Sequence, residues 1–290
     1  MSNAAPSRLF SADVDHAEDL ALTSDGNLVL AGERGQIYVG EIATRRLRKI
    51  CSIGGRGLGV AATANNTAVV CDPRRGRLIH VDLGSGAQSN LLPAGFPTQH
   101  LNSVAFSSDG SAFISDSGSW GRDDGRIIVL TPDGTARVQA SDFHRFTNGL
   151  RVSPDDRYLY VVESRGGLSR ALLTNGELGQ REVVVELPGM VADGLAFCSD
   201  GSILVACYQP NVILRVDPDA GSVETLLRDD EGVDLVLPTN IAFYGDELGR
   251  LAIANLGARH ITSVDLGLTG AAIQCPPAPT SSSFTREDHQ

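Results

Sequence analysis

Glu18, Asn102, Asn148 and Asp193 present two carboxylates and two amide oxygens, each at the head of a copy of one short phrase. Hard oxygen donors of this kind suit one bound divalent cation, Ca2+ first. Mg2+, Mn2+, Fe2+ and Zn2+ are the alternatives, with zinc in a thiolate or imidazole site disfavoured because no histidine or cysteine heads a phrase. Two anionic ligands leave a dication near neutral, and waters or substrate complete its shell. A single Asn or Asp at a strand start is ordinarily a turn former bonded to its own backbone. Glutamate is a poor turn residue, which makes Glu18 the most telling of the four.

The phrases are Glu18-Asp-Leu-Ala-Leu, Leu58-Gly-Val-Ala-Ala, Asn102-Ser-Val-Ala-Phe, Asn148-Gly-Leu-Arg-Val, Asp193-Gly-Leu-Ala-Phe and Thr239-Asn-Ile-Ala-Phe. They recur every 40–46 residues. A period of that size marks a propeller or solenoid. Leu58 cannot ligate, and Thr239 with its neighbour Asn240 contributes at most indirectly.

The elements that must position these heads are strands. In the fifth repeat, Gly194–Cys198, Ser202–Cys207, Asn211–Val216 and Ser222–Leu227 read as four short strands joined by Asx/Gly turns. No long segment has a 3.6-residue period, so helix is expected to be scarce. Six such units predict an all-β fold, a six-bladed β-propeller with four antiparallel strands per blade. The sixth repeat is one strand short, and Ser7–Ala12 is expected to supply it and close the ring. The domain is expected to span residues 1–275. The proline- and serine-rich tail 276–290 is expected to be disordered.

In a propeller the first strand of each blade lines the channel, so the heads face one mouth. The second strand returns there, giving a second ring of Gly32, Asp72, Asp116, Glu163, Cys207 and Asn255. Asp116 and Glu163 are candidates to orient substrate, with a salt bridge or turn contact as the competing role. Cys207 has no evident base partner and reads as a small buried residue. His100 and His144 are candidate proton shuttles at the rim. Trp120, the sole tryptophan, and Tyr208 are candidates to cover an apolar substrate, with packing against blade four the competing role for Trp120. Arg45, Arg46, Arg48 and Lys49, and likewise Arg74, Arg75 and Arg77, read as solvated blade edges.

A net charge of −11 argues against nucleic acid or an anionic membrane as partner. No apolar stretch is long enough to span a bilayer. No basic segment followed by an apolar core opens the chain, and five cysteines without a CxxC pair fit a reducing compartment, so a cytoplasmic location is expected. A small molecule is the expected partner. Oligomeric state is left open.

The stretches Phe146-Thr-Asn-Gly-Leu-Arg-Val, Ala192-Asp-Gly-Leu-Ala-Phe and Leu237-Pro-Thr-Asn-Ile-Ala-Phe, together with the repeat, resemble the senescence marker protein/gluconolactonase/luciferin-regenerating-enzyme family of six-bladed propellers. The resemblance implies a divalent cation held by Glu18, Asn148 and Asp193, with Asn102 beside it or against substrate. It implies metal-dependent hydrolysis of a lactone or related ester, with Asp193 as base or nucleophile. Two motifs depart from the family. Glu18-Asp19-Leu20 stands where members usually have Glu-Gly-Pro. His100-Leu-Asn102-Ser103-Val104 replaces the Arg-x-Asn-Asp-Gly common in sugar lactonases, so gluconolactone is not carried over as substrate. A lyase, isomerase or condensing enzyme using the same pocket, or a non-enzymatic ligand-binding propeller, are the competing readings.

Overall fold

The computed structural model describes residues 5–10, 14–139 and 142–280. Its strands form six four-stranded antiparallel sheets, and the only helical element among the described residues is the 3-10 turn Asp246–Leu248. The inner strands are Ala17–Leu22, Val60–Thr63, Leu101–Phe106, Thr147–Val152, Val191–Phe197 and Pro238–Tyr244, one for each of blades one to six. The six-bladed propeller read from the repeat is the fold observed.

Burial follows the radial order. Leu101–Phe106 and Ala112–Asp116, the two inner strands of blade three, are buried throughout, whereas the outer strand Ser222–Arg228 of blade five is largely exposed. The core lies between blades. Val29, Ile37 and Val39 of blade one pack with Val60, Val70 and Ile79 of blade two in one cluster. Aliphatic side chains on both faces of a strand suit this sandwiching of sheet against sheet.

The ring closes as anticipated. Ser7–Phe10 pairs antiparallel with Ile261–Val264 to complete blade six. The expected strand ran to Ala12, and residues 11–13 lie outside the described residues. Phe10 then seats against blade one, where a Cβ at Gly40 would collide with its ring. Burying that phenyl contributes about 1.5–3 kcal/mol to the latch.

Residues 265–280 strap across the end of the channel opposite the heads. Ser199 donates its N–H to Thr269 and Ala271 to Phe197, which ties the strap to blade five. Ala64 N–H reaches Pro276 O at 2.9 Å and Thr280 N–H reaches Pro132 O at 3.1 Å, tying it to blades two and three. Pro276–Thr280 therefore packs on the propeller, within the stretch read from composition as disordered. Residues 281–290 lie outside the described residues. Among the described residues no helix is long and apolar enough to cross a membrane, and all five cysteines are free.

Candidate functional site

A register shift stands at the head of nearly every blade. The residue before the head pairs with the second ring: Ala17 with Gly32, Leu101 with Asp116, Thr147 with Glu163, Ala192 with Cys207 and Pro238 with Asn255. Regular pairing resumes only one or two residues beyond the head. A bulge of this kind bends the strand and re-aims one side chain.

The position after each head explains the Asn-Gly and Asp-Gly pairs. A Cβ at Gly149 would collide with the Asp193 carbonyl, and one at Gly194 with the Asn240 side chain. Inner strands approach so closely here that glycine is needed at these two positions. Blade one carries Asp19 instead. Its carboxylate accepts Leu20 N–H at 2.7 Å and reaches across to Val60 N–H of blade two at 2.8 Å.

Glu18, Asn102, Asn148 and Asp193 are all buried at the heads. Asn148 donates Nδ2 to Ser164 Oγ at 3.0 Å, while its Oδ1 is buried without a hydrogen-bond partner. Glu18 Oε2 is likewise buried and unpartnered. Burial raises the Glu18 carboxyl to about 7, with Arg56 opposing and Asp19 and Glu33 reinforcing. Burial pushes Asp193 well above the carboxylate range, reinforced by the charges of Glu18 and Asp19, with Asn148 opposing through a hydrogen bond. Asp19 is raised to about 6 by burial, against the pull of Arg151. Such a concentration of buried, under-satisfied acid calls for a proton or a cation. The donor set fits a hard dication: two carboxylates and the free Asn148 oxygen, with Asn102 alongside. Among the described residues no three His, Cys, Asp or Glu side chains are grouped as a metal site, so a cation here depends on amide oxygens.

Asp116 and Glu163 of the second ring make the salt-bridge and turn contacts set against a substrate role. Both are fully buried with their oxygens engaged. Asp116 accepts His100 N–H at 2.5 Å and Gln99 N–H at 2.9 Å, and pairs with Arg126 at 2.9 Å. Glu163 accepts His144 and Arg145 N–H at 3.2 Å, Ser169 Oγ–H at 2.7 Å and Arg181 at 2.6 Å. Asp72 accepts Arg56 N–H at 3.0 Å and pairs with Arg77 at 3.0 Å. Asn255 accepts Val236 N–H at 2.9 Å. Each of these side chains pins the loop that leads into its blade's head. Arg77, read as a solvated edge, is the internal partner of a buried acid. Cys207 is buried and its thiol is pushed up to about 12, which keeps it protonated.

Those pinned loops make the rim. Two residues before each head stand His16, Arg56, His100, Phe146, Val191 and Leu237. Phe146 holds φ +63° and Leu237 +53°, left-handed backbone that bulky residues rarely adopt and that concentrates at functional sites. Trp120, 47% exposed, meets the Phe146 ring edge-on at 4.8 Å, and the His100 ring lies 6.1 Å from that of Phe146. Tyr208 is half-buried, and its phenol is raised by burial and by the charges of Asp193 and Glu18. His144 is engaged through its backbone, on the loop pinned by Glu163.

Sequence reasoning missed Arg56 and Arg151. Arg56 shares the register of His100, and aligning the residues two before each head exposes it. Arg151 stands three after its head, where the other blades carry Ala21, Ala61, Ala105, Ala196 and Ala242. It projects into the channel, 3.8 Å from Asp19. It also lines a cavity of about 170 Å3 below the heads, closed off by Ala271–Gln274 of the strap.

Closed ring, glycine-spaced inner strands and a buried acid–amide cluster at one mouth define a six-bladed propeller with an acidic pocket at the end of its channel. Residues 54–256 match the family described as the SMP-30/Gluconolactonase/LRE-like region, and the chain belongs to that family. Regucalcin of Danio rerio is 27% identical over 160 residues, covering 53% of this chain and 50% of the relative. The chain spans about half the length of the curated relatives it matches. The structure of a calcium-binding protein, regucalcin of Agrobacterium tumefaciens, aligns with a TM-score of 0.77 at 18% identity, covering 94% of this chain and 96% of that one. A gluconolactonase of Xanthomonas campestris aligns with a TM-score of 0.74 at 19% identity, covering 90% and 89%. At these identities the structural likeness is one of fold.

Proposed function

We propose that this protein is a divalent-cation-dependent hydrolase of a lactone or related small ester. The observation that carries the reading is the pair Glu18 and Asp193, buried at one mouth beside an unpartnered Asn148 oxygen. Family membership supports a lactonase-type reaction, and the calcium-binding description of the Agrobacterium regucalcin supports Ca2+ as the cation. Glu18, Asn148 and Asp193 would hold it, with Asn102 completing the set or touching substrate. A cation there supplies Lewis acidity toward the ester carbonyl oxygen.

The chain's own groups do the rest. Asp193 takes a proton from the water that adds to the carbonyl carbon, and returns it to the alkoxide oxygen as the C–O bond breaks. Asn148, tethered by Ser164, and Gly149, which lets the strands close, fix the Asp193 carboxylate. Tyr208 stays protonated and offers an O–H donor. Phe146 and Trp120 supply an apolar wall, and His100, whose imidazole burial keeps toward neutrality, adds a polar point on the rim. The Cys207 thiol does not compete as nucleophile.

A panel of lactones and aryl esters, assayed with and without chelator, tests the reading. Hydrolysis that chelator abolishes and calcium restores, and that Asp193→Asn lowers by about 100-fold or more, the span of a general base, supports it. Bound metal without hydrolysis of any member would shift the reading to a non-hydrolytic reaction in the same pocket.

A further inference from the structure

Beside the acid cluster, at the junction of blades one and two, lies a groove of about 550 Å3 lined by Glu33, Arg34, Gly54, Gly55, Arg56 and Arg74. Three guanidiniums and one carboxylate face it, in a chain whose net charge is −11. Such a local excess of positive charge runs against the overall field.

Arg56 is built in. Its N–H is held by the fully buried Asp72 carboxylate at 3.0 Å. Gly55 beside it has no room for a Cβ against that same carboxylate, so the loop wraps the acid closely. The side chain is about one-third exposed; Nη2 pairs with Glu33 at 3.1 Å, yet Nε is buried with no hydrogen-bond partner. A partly exposed guanidinium whose pairing partner is itself solvent-exposed is only weakly committed to that partner, and its terminal nitrogens remain able to take a second anion. Arg34 is largely exposed, with only a 3.9 Å contact to Asp15. Arg56 also stands at the register of His100, and it is the cation with the strongest pull on Glu18. The groove and the acid cluster are thus adjoining parts of one mouth.

We propose that Arg56, with Arg34 and Arg74 beside it, binds an anionic group of the substrate, so that the lactone or ester hydrolysed at Glu18, Asn148 and Asp193 carries a carboxylate or a phosphate. This rests on the hydrolase reading above. A planar guanidinium binds either group through two parallel N–H bonds. A substrate that displaces Glu33 from Arg56 exchanges one anion for another at Nη2.

Three five-membered lactones test it: one with a butyl side chain, one with a terminal carboxylate on that chain and one with a terminal phosphate. The wild-type protein is expected to favour at least one anionic lactone over the butyl lactone in kcat/KM. Arg56→Met should shrink that preference about 10- to 100-fold, the span of a charged hydrogen bond, and Glu33→Gln should enlarge it. The ratio is read, so a general loss of activity in either variant does not imitate the result. No preference in the wild type, or a preference that Arg56→Met leaves intact, overturns the proposal. If none of the three is hydrolysed, the hydrolase reading fails, and calorimetric binding of the same three lactones decides the anion site by the same ratio.

Discussion

Asn148 donates its Nδ2 to Ser164 Oγ at 3.0 Å, and this single bond turns the amide oxygen into a buried acceptor with nothing to accept. Ser164 follows Glu163 at the end of the second strand, so one blade supplies both the donor oxygen and the group that aims it. Groups that orient metal ligands are typically worth about 10- to 100-fold in affinity. Ser164→Ala is therefore expected to weaken calcium binding by about that factor while thermal stability changes little. Isothermal titration calorimetry of the variant checks both affinity and stoichiometry.

Asp116 has a different fate. Removing its carboxylate strands the Arg126 guanidinium and two loop N–H groups. Losing one partner of a buried ion pair costs about 3–5 kcal/mol, and the partial exposure of Arg126 puts this case toward the lower end. Asp116→Ala should lower the urea midpoint markedly. If Asp116 touched substrate instead, KM would rise with the midpoint unchanged.

The heads, the ring closure and the strand order could all be read from the repeat because strand period, turn residues and head register are local properties of the chain. The metal candidates came out of the same alignment. What could not be read was direction. Asp116 and Glu163 sit at the right end of the right strand, yet their side chains turn back into the loops. Only the backbone N–H groups that approach them reveal this, and those come from the preceding loop rather than the strand. Arg151 and Arg56 were hidden for another reason. Each matters because it differs from its equivalents in other blades, and that contrast appears only when positions flanking the heads are compared.

Gly149 tests how closely the inner strands must pack. A Cβ there meets backbone atoms of Asp193 and Gly194, which cannot swing away as a side chain could. Gly149→Ala is expected to destabilise the fold by about 1–3 kcal/mol and to weaken calcium binding together with it. Circular dichroism melts and calcium titration on the same preparation check the pairing of the two effects.

The acid cluster should also set the pH dependence of the cation-free protein. Glu18 is raised to about 7 and Asp19 to about 6. Between the ordinary carboxylate range and those values the folded chain holds more protons than the unfolded chain, so stability falls as pH rises. The contribution of Glu18 and Asp19 is complete below about pH 4 and is lost by about pH 7, where Glu18 ionises. Melting temperature in chelator should decline across that window. Calcium, bound to the ionised acids, should flatten the decline, and Glu18→Gln should reduce it without calcium.

In the proposed site Glu18, Asn148 and Asp193 together hold one divalent cation. Calorimetric titration of metal-stripped protein with calcium measures it directly. The prediction is one site per chain, with affinity lost in Glu18→Gln and in Asp193→Asn while both variants stay folded. Failure of the stripped wild-type protein to bind calcium, magnesium, manganese or zinc, or binding that both substitutions leave unchanged, would contradict it.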